Sequence, residues 1–165
     1  IASQVISKRL RPGLRDTAFT AGLLHGVGKI ILGKYVREHK DELLGVSKGQ
    51  FVTRAAEREV FGTDYAEVGS KIADNWNFPQ DLVRAIGYHP DPEQAPGKPL
   101  LAAIVYLAQN ACNRIGVGLL GGPSVVPLVA YCEEATGTTE EDMEALCQEV
   151  KQSLDSTMAP NPNAK

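Results

Sequence analysis

Apolar residues recur at helical spacing along almost the whole chain. Over 2–11, Ala2, Val5, Ile6 and Leu10 share one face, and Pro12-Gly13 ends the run. Asp16 can cap a second helix that ends near His25 and carries Phe19, Leu23 and Leu24 inward. The Gly26-x-Gly28 break predicts a sharp turn into an amphipathic run over 30–44, closed by Gly45 and Ser47-Lys48-Gly49. A helical pattern over 51–61 stops at Gly62, and Thr63 or Asp64 can cap the next helix, 65–76, with Val68, Ile72 and Trp76 at four-residue spacing. Pro79 suits a helix start, and beyond it Leu82, Val83 and Ile86 face the core.

The four prolines between Pro90 and Pro99 mark a loop over 89–98. Helix returns over 100–114, with Leu101, Ile104, Val105, Ala108 and Cys112 as its stripe. After a glycine-rich connector over 116–123 come a short helix over 127–135 and a last one from Thr138 to about Ser156, opened by acidic residues that suit the helix dipole. No alternating strand pattern of useful length occurs. The prediction is an all-α, compact multi-helix domain over 1–157 with a flexible tail over 158–165.

Composition narrows the class without changing that picture. A chain of 165 residues supports one domain, and 43% apolar with 22% charged residues excludes wholesale disorder. The net charge of −3 with interspersed signs argues against a nucleic-acid surface, and the local excess at Lys8, Arg9, Arg11 and Arg15 fits a solvated helix face. No apolar run is long enough to span a membrane. Cys112, Cys132 and Cys147 form no Cys-x-x-Cys pair, which predicts reduced thiols in a cytoplasmic protein. The chain opens at Ile1 within a helical pattern, which predicts a fragment of a longer protein.

Two glycine motifs carry no chemistry. Gly116-Val117-Gly118-Leu119-Leu120-Gly121 fits G-x-G-x-x-G but follows a helix, not a strand. Gly28-Lys29 is followed by Ile30, where a phosphate-binding P-loop needs Ser or Thr.

The chemistry-bearing segment is His25-Gly26-Val27-Gly28-Lys29. Its histidine closes an apolar helix, and the residue that follows, Gly26, has no side chain to ligate a metal. Taken alone, His25 fits a helix-end histidine bonding a backbone carbonyl, and His89 a half-exposed structural histidine. His39 fits a surface position, Lys29 a solvated helix-start lysine, and Trp76 with Phe78 the core.

Three stretches together resemble the HD superfamily, and within it the HDOD family of bacterial signalling proteins. They are 18–29 around His25, the pair 61–69 and 76–92 around Tyr65 and His89, and 101–109 ending at Gln109. The match is strongest over 1–115, and the resemblance implies the C-terminal part of such a domain. In active HD phosphohydrolases, histidines and aspartates hold metal ions that polarise phosphate and generate hydroxide. Carried over to this chain, His25 stands but its aspartate neighbour is Gly26. A second-stretch histidine is Tyr65, one of a histidine pair is Pro90 beside the retained His89, and the late aspartate is Gln109. Hard divalent cations favour anionic oxygens, so the resemblance implies a degenerate metal site and no cofactor.

The expected function is a non-catalytic signalling or regulatory domain. It would bind other signalling proteins, or a small nucleotide-like ligand in a cleft of His25, Lys29, Tyr65, His89 and Gln109. The alternative is a divergent metal-dependent phosphodiesterase completed by an upstream histidine and a carboxylate such as Asp64 or Glu67. A third possibility is a purely structural helical spacer.

Overall fold

The computed structural model describes residues 1–48, 51–117 and 127–158. Its architecture is all-α, with no strand among the described residues. Helix α8 (Leu100–Arg114) is the centre, because it is apolar nearly all the way round. It buries ten residues from Leu101 to Ala111, including the fully enclosed Ile104 and Leu107. Around it pack α1 (Ala2–Leu10), α2 (Arg15–Leu24), α7 (Gln80–Tyr88), α9 (Ala130–Thr136) and α10 (Asp142–Met158). Helix α6 (Tyr65–Asn75) lies against α7 and carries α3 (Val27–Glu38) on its other side. Two short helices, α4 (Lys40–Ser47) and α5 (Arg54–Phe61), complete the outer layer.

The caps predicted from sequence are present at α6. Asp64 precedes that helix and accepts the backbone N–H groups of Ala66 and Glu67 at 2.9 and 3.0 Å. Other boundaries differ. The run over 30–44 is two helices, α3 and α4, that break at His39. Thr53 caps α5, so that helix begins at Arg54 and leaves Phe51 half exposed outside it. Thr139 and Asp142 cap one another's backbone, which starts α10 at Asp142 rather than Thr138. The connector over 118–126 and the tail over 159–165 lie outside the described residues.

Burial corrects three expectations. Helix α2 turns Ala18 and Ala21 inward, half-buries Leu24, and leaves Phe19 and Leu23 at the surface. The cause is the close approach of α1: a Cβ at Gly22 would stand 2.4 Å from the Ser3 hydroxyl. At that separation only small side chains fit between the helices. Trp76 is the second correction, since it is exposed and meets Phe78 edge-on while Phe78 packs on the core. His89, expected to be half exposed, is completely buried.

The crossing of α3 and α6 positions the site. A Cβ at Gly28 would fall 1.9 Å from the Tyr65 carbonyl oxygen, and one at Gly69 would fall 3.3 Å from the Gly28 nitrogen. The two backbones touch through paired glycines, which brings the start of α3 beside the start of α6.

Candidate functional site

His25 and His89 occupy equivalent places, each at the C-cap of its helix, α2 and α7. Each ring uses Nδ1–H to donate to the carbonyl three residues back, Gly22 and Ile86, both at 2.8 Å. This satisfies one of the carbonyls a helix end leaves open and fixes the tautomer. Both imidazoles therefore carry their lone pair on Nε2. The rings meet edge to face with centroids 5.0 Å apart.

Tyr65, the first residue of α6, closes over this pair. Its hydroxyl donates a long hydrogen bond to His89 Nε2 at 3.3 Å, and the Gln109 side chain of α8 is close enough to the phenol to oppose the rise that burial causes in its pKa. Lys29, in the first turn of α3, holds its ammonium 4.3 Å from the Tyr65 ring centroid, a cation–π contact. Lys29 is half-buried and packed, which corrects its reading as a solvated lysine.

Burial sets the charge state. It pushes His89 down to about 3, assisted by the neighbouring charge of His25. Burial also lowers His25, with Lys29 adding to the effect against the Gly22 hydrogen bond. It raises the Tyr65 phenol and lowers the Lys29 ammonium. At neutral pH the two imidazoles, the phenol and the Gln109 amide form a neutral cluster beside one lysine.

The five residues expected in one cleft come together, but they do not line one cavity. His25 and Gln109 line a cavity of about 340 Å³ with Ser3 and Cys112. Lys29 and Tyr65 line a second, of about 300 Å³, with Arg54 and Glu57. His89 lines neither, because Tyr65 and its own helix enclose it.

The carboxylates nearby are committed elsewhere. Buried Asp64 caps α6 with one oxygen, and the other accepts from Arg54 Nε at 3.1 Å and Arg58 Nε at 2.7 Å. Burial alone would raise it, but the Glu67 amide and the two guanidinium groups hold it below the usual carboxylate range. Glu67 is exposed and pairs with Lys71 at 2.7 Å. Glu57 accepts the Tyr65 backbone N–H at 2.9 Å, and burial raises its carboxyl.

Sequence reasoning missed Glu57, Arg54 and Arg58. The four-residue spacing of Arg54 and Arg58 just before a helix-capping aspartate was the available signal. Arg54 also reaches Asp91 at 2.8 Å, tying α5 to the loop after α7.

The donor set does not suit the divalent ions the resemblance implies. Among the described residues no three His, Cys, Asp or Glu side chains converge. The groups facing the histidines are a phenol and an amide, neither anionic at neutral pH. Gly26 is not forced to be glycine: its φ is −96° and a Cβ would have nothing within 4 Å. The three cysteines are unpaired, and among the described residues no helix is long and apolar enough to cross a membrane.

The HDOD domain family matches residues 1–92 of this chain. Among solved structures, the chain is similar to an HDOD domain protein of unknown function from Geobacter sulfurreducens, with a TM-score of 0.68 and 24% identity. The match covers 93% of this chain and 55% of that one. At that identity the likeness establishes the fold alone. No curated protein matches the chain.

Proposed function

The chain belongs to the HDOD domain family, and on that premise we propose that it is a non-catalytic signalling or regulatory domain. It acts by binding another signalling protein, or a small nucleotide-like ligand at the cavities beside the histidine pair. The observation that carries this reading is the identity of the groups facing the two imidazoles. His89 Nε2 meets the Tyr65 hydroxyl, and Tyr65 in turn meets Gln109. Metal-assisted hydrolysis needs ligands that hold a dication and a water to be ionised by it. Two neutral imidazoles with a phenol and an amide hold a divalent cation poorly. Asp64, the buried carboxylate nearest in sequence, is consumed by a helix cap and two arginines.

Metal titration by calorimetry, followed by elemental analysis of protein purified without chelator, tests this. The unaltered chain should hold far less than one equivalent after challenge with Mn²⁺, Fe²⁺ and Zn²⁺. The double variant Gly26→Asp with Gln109→Asp should gain measurable affinity for Mn²⁺ or Fe²⁺, since it restores carboxylates at the two positions where the resemblance to the HD superfamily places aspartates. Tight metal on the unaltered chain, with phosphodiester cleavage that His25→Ala abolishes, would overturn the reading.

A further inference from the structure

Helix α3 presents opposite faces to different surroundings. Gly28, Leu32 and Val36 face α6 and the Tyr65 cluster. On the other side Ile30 is 78% exposed and Ile31 52%, and Leu23, in the last turn of α2, is 69% exposed. A single exposed aliphatic residue needs no explanation, but three within nine positions at one helix corner form a patch. The polar positions on that face are Lys34, Arg37 and Glu38, two cations against one carboxylate. Lys34 and Arg37 follow Ile30 at helical spacing, and both are exposed. Lys34 meets Glu38 only loosely, at 3.9 Å. Arg37 has no ion pair among the described residues. The bias extends beyond the helix: residues 1–40 hold eight Lys and Arg against two Asp and Glu, whereas the remainder holds nine against eighteen.

We propose that the outward face of α3, with Leu23 at its corner, docks an acidic amphipathic helix of a partner protein. Aliphatic side chains of that helix pack among Leu23, Ile30 and Ile31, and its flanking carboxylates face Lys34 and Arg37. Helix-in-groove recognition of this kind uses anchors at three- and four-residue spacing. The proposal names the partner surface for the binding role above and rests on that reading, but not on the state of the histidine pair.

The test uses the whole chain and a fluorescein-labelled helical peptide of about 18 residues, long enough to hold a helix, with a leucine stripe and glutamates elsewhere. A twin carries lysine in place of glutamate. The glutamate peptide should bind by anisotropy, weaken as salt is raised, and be bound at least about tenfold more tightly than the twin. Ile30→Ser should weaken it about tenfold or more and Arg37→Ala less, both with unchanged circular dichroism, while Lys151→Ala on α10 should have no effect. Equal binding of both peptides, or no binding of the glutamate peptide, would overturn the proposal. So would Ile30-dependent self-association in sedimentation. Ile30-dependent binding to phosphatidylglycerol vesicles without peptide binding would assign the patch to a membrane surface instead. A chain that bound tight metal yet held the glutamate peptide would overturn only the non-catalytic reading.

Discussion

Asp64 and Tyr65 are neighbours in the chain but belong to opposite kinds of buried cluster. Asp64 is charged, fully enclosed, and surrounded by the α6 amides, Arg54 and Arg58. Tyr65 belongs to a neutral group with His25, His89 and Gln109. A buried charge persists only where partners replace its water, and around Asp64 those partners are complete. Around the histidines burial has instead driven the groups to their neutral forms. The ionic cluster thus ties α5, α6 and the Asp91 loop together. The neutral cluster is joined more weakly, by the long Tyr65–His89 hydrogen bond and the edge-to-face contact of the two imidazoles.

Removing the charge should have the largest effect. Asp64→Ala deletes a helix cap and strands two arginines, and should cost about 3 kcal/mol in urea denaturation. Asp64→Asn keeps the cap acceptor without the charge and should cost less. A loss under ~1 kcal/mol for the alanine variant, within the range of a cap alone, would break the contrast between the clusters.

The pH dependence of stability separates them further. His89 titrates at about 3 in the folded chain against an ordinary 6.5, so the unfolded chain binds the extra proton between those values. Its contribution is complete above pH 6.5 and declines as pH falls, by about 1.4 kcal/mol per unit. His25 shifts in the same direction and adds to the slope. Asp64 is lowered from 3.8, so its contribution is lost only below that value. Urea midpoints across pH 4.5–6.5 should therefore fall with acid in the unaltered chain, and His89→Gln should remove much of that slope. An unchanged slope in the variant would mean the histidine is not buried in its neutral form.

The smallest effect is expected at Gly26. Gly26→Asp places a good capping residue at the start of α3, where φ is negative and space is open. It should stabilise by a few tenths of a kcal/mol, about 0.3, by thermal melting. A loss above ~1 kcal/mol, larger than any cap preference for glycine, would show that the turn excludes a side chain.

How much was legible varied with the kind of feature. The periodic apolar runs gave the helices, and Asp64 and Pro79 marked two starts that the structure keeps. The resemblance to the HDOD family gathered His25, Lys29, Tyr65, His89 and Gln109, residues the fold does bring together. It could not show that Tyr65 seals His89 or that the cleft divides into two cavities. Nor did it reveal Arg54 as the partner of Asp64 and Asp91, because those contacts span 10 and 37 residues and both rest on the placement of α5.

By itself the sequence determined the all-α class, most element boundaries and the chemistry available, since capping, helical period and side-chain type are local properties. Tertiary structure decided which residues are enclosed. On α2 the alanines face inward and Phe19 and Leu23 do not, because Gly22 lets α1 approach to where a Cβ would strike Ser3. On α3, Gly28 brings the backbone onto Tyr65, seats Lys29 over its ring and turns Ile30 to the surface. Periodicity reports that a helix has an apolar side. The distance between helix axes, set here by two glycine contacts, selects which side is buried.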